Sequence, residues 1–440
     1  MIANLKNLAK AMDWTVVLSI TILMIIGILF IYSSGVTSAG DIVSTEYAKQ
    51  IIWVITGVIL LIVSMLVDMK RITDYVPIIY GFFIAVLIYT KLFGKVVNGA
   101  RSWLGLFGDY GIQPSEFMKI ATALFLARYL ERSSHESSSF KRFGISLSII
   151  AIPMGLILMQ PDFGTALVYL PLYLAMAYIG GVNKKYLLAF IVTGAITIIM
   201  TVMPLWQRII VTQPSIFLRI LYEKPYVYYT MIVLLTTTGL SILGNRLFKK
   251  KYYYMTAFAS LICTFGLGAS LLGQRVLKEY QIMRLVVFLD PTVDPLGSGW
   301  NILQSITAIG SGGVSGKGFL QGTQSHYRYL PQQSTDFIFS IISEELGFLG
   351  GIVIFSLFFY ILVRLALSLR SIRSIASASF VSGIFGIILF HFLINAGMAM
   401  GVMPITGIPL LFLSYGGSSL WTICIGVGLS LGIGARKYDS

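Results

Sequence analysis

Long apolar runs recur along almost the whole chain and are separated by short polar segments. A run of about 18 or more apolar residues is long enough to cross a bilayer as a helix. Two runs are weaker candidates, because 115–131 contains Glu116, Lys119 and Arg128, and 164–182 is marked by Gly and Pro. The pattern predicts an all-α polytopic membrane protein with about twelve transmembrane helices, over 14–34, 50–68, 75–94, 115–131, 143–160, 164–182, 185–205, 226–245, 252–273, 337–363, 378–401 and 408–434.

Composition strengthens this prediction. The 440 residues are 56% hydrophobic and only 11% charged, and the mean hydropathy is +0.84, which excludes an ordinary soluble domain. The chain has only Cys263 and Cys424, both within predicted spans, so we expect no disulfide framework. The first apolar run is long enough to span the membrane and lacks a small-residue cleavage site, so we also expect no cleavable signal peptide.

The distribution of Lys and Arg predicts the orientation. Short cytoplasmic loops carry an excess of these residues, and here the excess falls in alternate loops if the N-terminus is cytoplasmic. Both termini are then cytoplasmic. The net charge of +14 therefore reflects topology and attraction to anionic membrane lipids, and we expect no nucleic-acid partner. The loops that carry the excess contain Lys70/Arg71, Arg128/Arg132/Lys141/Arg142, Lys184/Lys185, Arg246/Lys249/Lys250/Lys251, Arg364/Arg370/Arg373 and Arg436/Lys437.

On this topology three polar, glycine-rich segments face outward: 95–114, 160–164 and 274–336. Long loops of this kind are usually functional. The segment 274–336 is a large extracytoplasmic loop, in which Glu279–Leu289 has the spacing of an amphipathic interfacial helix and Trp300–Ile309 predicts a second short helix. We see no internal repeat or low-complexity linker, so the sequence predicts one membrane domain over 1–440.

The large loop ends in acidic residues at the start of an apolar span. Asp336 lies at the mouth of this span, and Glu344 and Glu345 lie within it. Ionisable groups at bilayer depth are costly and often mark functional sites. Asp336 could instead cap the helix, a role compatible with catalysis. The two glutamates could form a buried pair satisfied by basic or backbone partners, or act directly.

Two features could bind phosphate. The run IGSGGVSGKG could cradle an anion with backbone N–H groups and Lys317, but it lacks P-loop spacing. The alternative, favoured by the local sequence, is a flexible re-entrant loop. Arg101 lies at the outer interface against the positive-inside bias, where a guanidinium is well shaped to grip phosphate.

A second polar group opens the weak span 115–131. Gln113 and Ser115 precede or begin it, and Glu116 and Lys119 are three residues apart, on one helix face. They could form an intrahelical ion pair or line a polar pocket. Asp162, in QPDFG, could belong to the same outward-facing site or simply cap a helix.

Eight motifs in order over nearly the whole chain then define a resemblance. The chain resembles the SEDS family of bacterial cell-wall polymerases. The string GKGFLQGTQS followed by YLP is more similar to the elongation (RodA-like) branch than to the division and sporulation branches. The motifs are NGARSW, QPSEFMKIA, QPDFGTA, FLDPTVDPLGSGW, QSITAIGSGG, GKGFLQGTQS, YLPQQSTDFIFSIISEELGFLGG and PITGIPLLFLSYGGSSL.

The resemblance implies a peptidoglycan glycosyltransferase that polymerises lipid II into glycan strands at the outer face of the cytoplasmic membrane, for cell elongation and rod shape. The family's essential acid in TDFIF matches Asp336, which would take the proton from the attacking sugar hydroxyl. Arg101, Lys119 and Lys317 are candidates to stabilise the departing diphosphate. A divalent cation, Mg or Mn, could also stabilise the diphosphate, and the resemblance implies no other cofactor. Further substrate-binding candidates are Gln113, Ser115, Glu116, Asp162, Gln324, Ser325, Thr335 and Glu345.

The chain departs from the family pattern in two places. Gln332 and Ser334 stand where the family usually has Glu and His, which argues against a catalytic role for either. The apolar segments within 226–273 exceed the ten spans typical of the family and predict an inserted two-helix hairpin, whose default interpretation is a lipid-facing or partner-binding addition.

The resemblance also implies a class B penicillin-binding protein, a transpeptidase, as partner. Small residues favour close helix packing in membranes, so we expect 378–401 to contact this partner through Ser382 and Gly383. The alternative functions are a lipid-linked precursor flippase and a non-catalytic scaffold for the transpeptidase. A flippase is less favoured, because transporters have internal repeats and midplane charges, whereas here the polar residues gather at the outer face.

Overall fold

The computed structural model describes residues 10–97, 99–107, 110–135, 138–210 and 223–436. These residues are mostly helical. The α-helices are α1 (Trp14–Ser34), α2 (Glu46–Leu66), α3 (Met69–Ile72), α4 (Val76–Phe93), α5 (Pro114–Arg132), α6 (Ser139–Leu158), α7 (Phe163–Leu167), α8 (Tyr169–Ile179), α9 (Lys184–Ile210), α10 (Lys224–Phe248), α11 (Lys251–Val276), α12 (Glu279–Leu289), α13 (Ser298–Gly312), α14 (Thr323–His326), α15 (Ile338–Ser368), α16 (Ile375–Ala399) and α17 (Gly417–Ala435). Short 3₁₀ turns occupy Pro291–Val293 and Leu369–Ser371.

Ten helices in the described ranges are long and apolar enough to cross a membrane, so the chain is a multi-pass membrane protein. Helices also form over both weaker candidates. The first is α5, and the second divides into α7 and α8. The all-α prediction is therefore confirmed. The sequence predicted about twelve transmembrane helices, and ten helices in the described ranges meet the criterion of length and hydropathy.

The last predicted span, 408–434, is wrong at its start, since α17 begins at Gly417. The segment before it is not helical. Pro409 has no N–H to donate to a helix, and Gly407 and Phe412 have left-handed φ angles of 70° and 68°. This non-helical segment contacts the turn that carries Asp336, through the hydrogen bond from Tyr415 N to the Ser334 carbonyl.

The chain forms two compact units. The first comprises the described residues up to Val182 together with those from Trp300, and the second is Asn183–Gly299. In the first unit α2 packs on α17 and α8 packs on α16, around fully buried side chains that include Tyr169, Tyr173 and Phe380. The sequence predicted one membrane domain over 1–440, which stays a prediction; the contacts group the described residues into these two units.

The second unit is built on three long helices, α9, α10 and α11, with α11 packed against both of the others. The predicted hairpin 226–273 corresponds to α10 and α11. The amphipathic helix predicted at Glu279–Leu289 forms with the expected bounds as α12, and its Ile282 and Val286 bury against Val202 and Leu205 of α9.

A small antiparallel sheet occupies the predicted non-helical segment 95–114. Its strands are β1 (Lys95–Val97), β2 (Ala100–Phe107) and β3 (Tyr110–Ile112), in the order β1-β2-β3. Arg101 pairs with Val96 in the register of β1 and β2. The sheet stands between α4 and α5 in the chain.

The prediction that Ser382 and Gly383 offer a free groove to a partner is wrong. Both are buried, and the Ser382 hydroxyl donates to the Ala175 carbonyl at 3.2 Å. A Cβ on Gly383 would lie 2.8 Å from side-chain atoms of Leu172 and Met176. The small residues of α16 therefore allow close packing on α8 of the same chain.

This packing predicts opposite effects for two Gly-to-Ala changes. A Cβ at Gly386 would lie 2.8 Å from the Pro171 carbonyl oxygen, whereas a Cβ at Gly155 meets nothing within 4 Å. We expect Gly386→Ala to lower the free energy of unfolding by about 1–3 kcal/mol through overpacking. The matched Gly155→Ala should leave stability unchanged or raise it by up to about 1 kcal/mol. Thermal unfolding in detergent measures both, and equal stability of the two variants would contradict the packing assignment.

Candidate functional site

Helix α15 is broken at Gly347, which has φ 65° and ψ −159°. The break interrupts helical hydrogen bonds at membrane depth, where free backbone groups are costly and must find protein partners. The segment 313–318 supplies these partners and is therefore a re-entrant loop. The bonds run from Lys317 N to Glu344 O (3.1 Å), from Gly318 N to Glu345 O (2.9 Å), from Phe348 N to Gly313 O (2.9 Å) and from Leu349 N to Val314 O (3.2 Å).

Glycine is required where the loop meets the helix. A Cβ on Gly316, which has φ 80°, would overlap the Glu345 carbonyl group, and a Cβ on Gly347 would overlap the backbone of Gly316. The local sequence favoured a flexible re-entrant loop; the run does form a loop, but its hydrogen bonds to α15 fix it in place. The N–H groups of Lys317 and Gly318 already donate to α15, so they are not available as an anion cradle.

The fully buried carboxylate of Glu344 holds the next part of the loop. It accepts hydrogen bonds from the backbone N–H groups of Thr323 (2.7 Å), Gln324 (2.9 Å) and Ser325 (3.2 Å). Lys317 Nζ lies 2.8 Å from the same carboxylate and neutralises its charge. Lys317 and the backbone of Gln324 and Ser325 are thus engaged within the protein.

The neighbouring Glu345 is also fully buried and joins three parts of the first unit. Its carboxylate accepts from the Ser33 hydroxyl of α1 and from Leu320 N at 3.0 Å. His326 Nε2 lies 3.4 Å away, while His326 Nδ1 lies 2.8 Å from the Val36 carbonyl oxygen. Both glutamates therefore have the satisfied, buried environment that was one of the two interpretations from sequence.

Asp336 is half-buried and ends the turn that leads into α15. Helix α15 begins at Ile338 with Phe337 in the N-cap position, so Asp336 precedes the cap. Its N–H donates to the Gln332 carbonyl at 3.1 Å, and its own carbonyl accepts from Asn395 Nδ2 at 2.8 Å. Tyr415 N donates to the Ser334 carbonyl at 2.8 Å. The turn that carries Asp336 is thus fixed by α16 and by the non-helical segment before α17.

A cavity of about 520 Å³ lies next to this turn. Its volume is in the range of small-molecule sites, and it reaches Thr335, the neighbour of Asp336. Polar side chains dominate the lining, among them Ser34, Ser44, Glu46, Arg328, Gln332 and Thr335. A carboxylate beside such a cavity can accept a proton from a bound hydroxyl group.

Sequence reasoning missed Arg328, Glu46, Ser34 and Ser44. No motif marks the loop between α1 and α2, and Arg328 lies in an undistinguished part of the large loop. The backbone of the folded chain gives an indirect sign of a functional site that the sequence does not show. Arg328 and Gln332 have left-handed φ angles of 59° and 53°, and such strained residues cluster at functional sites.

The second group of predicted residues forms a separate cluster on α5 and α7. Asp162 caps α7 by accepting from Thr165 N at 3.1 Å, and Gln113 Nε2 donates to its other oxygen at 2.7 Å. Burial raises the pKa of Asp162, although these hydrogen bonds oppose the shift. Lys119 and Glu116 form an intrahelical ion pair at 2.8 Å, and Ser115 is fully buried beside them.

Arg101 is the remaining predicted residue. It is exposed on β2, and its Nη1 donates to the Leu92 carbonyl at 3.3 Å. The structure therefore distributes the predicted residues over three places: the loop and turn around Asp336, the Asp162 cluster, and the sheet. Across the described ranges, no group of three or more His, Cys, Asp and Glu residues could hold a metal ion, and we assign no step to a metal.

The fold and the site define a multi-pass membrane protein whose broken helix and re-entrant loop support an acidic residue beside a polar cavity. The sequence matches the family model for cell cycle proteins, FtsW/RodA/SpoVE, over residues 13–215 and 215–438. The chain belongs to this family, and the resemblance found in the sequence is confirmed.

Comparison with individual relatives supports the resemblance to the elongation (RodA-like) branch. The chain is 48% identical to peptidoglycan glycosyltransferase RodA of Treponema pallidum (strain Nichols), over 97% of this chain and 98% of the relative. It is 32% identical to stage V sporulation protein E of Bacillus subtilis (strain 168), over 96% of each. Identity to peptidoglycan glycosyltransferase MrdB of Escherichia coli (strain K12) is 29%, over 95% of this chain and 93% of the relative.

Solved structures show the same fold. A chain from a peptidoglycan synthase complex, solved to show the structural coordination of polymerization and crosslinking, is 23% identical, with a TM-score of 0.66 over 98% of this chain and 99% of that one. Rod shape determining protein RodA of Thermus thermophilus, in a variant with an aspartate replaced by alanine, is 21% identical. Its TM-score is 0.61 over 98% of this chain and 99% of that one.

The role of Glu344 can be tested by stability. Glu344→Ala leaves the three N–H groups of Thr323, Gln324 and Ser325 without their acceptor, and each unsatisfied buried group costs about 1–3 kcal/mol. We expect a loss of about 3–5 kcal/mol in the free energy of unfolding. Glu344→Gln retains one acceptor oxygen and should lose less. Hydrogen exchange at residues 323–325 provides the local measurement, and unchanged protection in Glu344→Ala would contradict the assignment.

A second test uses the pH dependence of Asp162. Its pKa is raised in the folded state from an ordinary value of 3.8, so ionisation opposes folding. The stability contributed by the protonated form is complete below pH 3.8 and is lost as pH rises through the folded pKa. Asp162→Asn keeps an N-cap side chain and cannot ionise. We therefore expect it to be more stable than wild type at neutral pH, with the difference shrinking on acidification. A pH-independent difference in thermal unfolding would contradict this account.

Proposed function

We propose that this chain is a peptidoglycan glycosyltransferase that polymerises lipid II at the outer face of the cytoplasmic membrane, for cell elongation, with Asp336 as the general base. The observation that carries the proposal is the fixed turn 331–336, which holds Asp336 beside a polar cavity. Family membership and the high identity to a relative named peptidoglycan glycosyltransferase RodA support the activity.

The chemistry needs one base. The acceptor sugar hydroxyl attacks the anomeric carbon of the donor while its proton passes to the Asp336 carboxylate. A bond forms between the anomeric carbon and the hydroxyl oxygen, and the bond to the lipid diphosphate breaks with inversion. A diphosphate leaves as a stabilised anion, so it needs positive charge nearby more than a second acid.

The cations of the first unit differ in their suitability for that task. Lys119 and Lys317 each already neutralise a buried glutamate, so we assign them to structure. Arg328 lines the cavity and joins Arg101 as a candidate to contact diphosphate, because a guanidinium binds phosphate in a bidentate manner. Thr335 also lines the cavity, whereas Gln324, Ser325 and Glu345 support the loop. Gln113, Ser115, Glu116 and Asp162 would form a second polar site that positions the substrate.

The orientation and the partner follow from the same proposal. The excess of Lys and Arg in alternate loops supports an orientation with both termini in the cytoplasm. The turn 331–336 would then lie outside, where lipid II would be polymerised. A class B penicillin-binding protein would cross-link the product. The peptidoglycan synthase complex that contains a similar chain coordinates polymerization with crosslinking, which supports such a partner. Its contact with this chain would have to use a surface other than the buried stripe of α16.

Transport is the second candidate function, because broken helices are typical of transporters. In α15, however, the groups freed by the break are bonded to loop 313–318, whereas in transporters such groups coordinate the substrate. The broken helix therefore supports a rigid scaffold for Asp336.

Substitution of Asp336 tests the proposal. Asp336→Asn preserves size and removes the base, so we expect glycan polymerisation to fall by about 100-fold or more. The matched control is Asp290→Asn, at a half-buried position, which should retain activity because asparagine can still cap the turn Pro291–Val293. Purified protein is incubated with lipid II and the glycan products are resolved on a gel. Near-normal products from a folded Asp336→Asn protein would eliminate the base assignment, and lipid II movement without polymerisation by the wild type would favour transport.

A further inference from the structure

The second unit is rich in cations and poor in acidic residues. Between Asn183 and Lys278 the sequence contains one acidic residue, Glu223, which lies at the N-cap of α10. The turn that joins α10 to α11 is at the opposite end of that hairpin. It contains Lys249 and Lys250 and is flanked by Arg246 and Lys251, and all four cations are exposed.

Helix α9 adds two more cations to the same end. Thr197 Oγ1 donates to the Gly266 carbonyl at 3.3 Å, and Gln274 Nε2 donates to the Met200 carbonyl at 3.1 Å. From the first contact to the second, the residue numbers rise in both helices, so α9 and α11 run parallel. Their first residues, Lys184 and Lys251, therefore lie at the same end of the unit.

We call this end the basic end: Lys184, Lys185, Arg246, Lys249, Lys250 and Lys251, all exposed. Like charges at this density repel one another unless counter-charge is bound. The positive-inside tendency accounts for cations in a loop, but it does not require three helices of one unit to bring six of them together. The one acidic residue in this stretch of sequence, Glu223, lies at the other end of the hairpin.

Aromatic side chains surround the basic end. Phe248, Tyr252 and Tyr254 are each about half exposed, at 60%, 55% and 48%. Gly244 makes room for the ring of Tyr253, since a Cβ there would lie 2.6 Å from it. Aromatic rings of this kind are enriched at the level of lipid headgroups. Rings at that level would hold the neighbouring cations close to the headgroup phosphates.

We propose that the basic end of the second unit is a binding site for anionic phospholipid headgroups. Lys and Arg contact the phosphates, and the aromatic rings fix the depth. Clusters of four to eight cations next to a membrane helix bind anionic lipids by the same electrostatic attraction. This role is independent of the chemistry at Asp336, and it gives the α10–α11 hairpin a function.

The test measures lipid binding to the full-length protein in neutral detergent by native mass spectrometry. Phosphatidylglycerol and phosphatidylcholine with identical acyl chains are titrated separately, so that only headgroup charge differs. We expect wild type to prefer phosphatidylglycerol, and Lys250→Gln/Lys251→Gln to weaken its binding by at least about fivefold. The matched control, Arg275→Gln/Lys278→Gln, removes two cations from the other end of α11 and should bind as wild type does.

A charge-preserving variant, Lys250→Arg/Lys251→Arg, should bind phosphatidylglycerol like wild type and so separates loss of charge from misfolding. High salt should weaken binding by screening. Equal affinity of wild type for the two lipids would overturn the proposal and leave the basic end as a surface for an acidic protein segment. Equal losses in both glutamine variants would also overturn it, because attraction would then be a general property of the chain.

Discussion

A backbone carbonyl or N–H group cannot be left without a partner inside a membrane, and the architecture of the site follows from this constraint. The break at Gly347 exposes such groups in the middle of α15. The re-entrant loop 313–318 satisfies them, so the loop has one position rather than many. The carboxylates of Glu344 and Glu345 then hold the following segment through its own N–H groups. The break in α15 thus positions the loop 313–318, and the loop in turn positions the segment that follows it.

The same reasoning explains why the chain keeps two carboxylates in its interior. A buried charge is costly unless it is paired and hydrogen-bonded, and Glu344 meets this condition with Lys317 and three backbone donors. Its energetic role is to order the loop that precedes Asp336. The strained φ angles at Leu320, Arg328 and Gln332 indicate that the surrounding contacts are strong enough to hold unfavourable backbone conformations.

Much of the fold could be predicted because membrane helices depend on local length and hydropathy. The amphipathic helix Glu279–Leu289 was predicted with its correct bounds for the same reason. Non-local features could not be predicted. Gly347 looks like any glycine in an apolar run, and its role depends on pairing with residues 313–318. The small residues of α16 have the pattern of an interface, but the sequence does not tell whether the partner helix is α8 or another chain. Asp336 was found through its motif, whereas Arg328 and Glu46 are far apart in the sequence and line one cavity only in the folded chain.

The hydrogen bond between Ser33 and Glu345 has a consequence for biogenesis. The two residues are 312 positions apart, and a ribosome adds about 5–20 residues per second. The first helix therefore stays in the membrane for about 15–60 s before its partner has been made. Asn395 and Tyr415, which hold the turn at Asp336, are synthesised later still. The turn that carries Asp336 therefore gains its last contacts only when the C-terminal helices have been made.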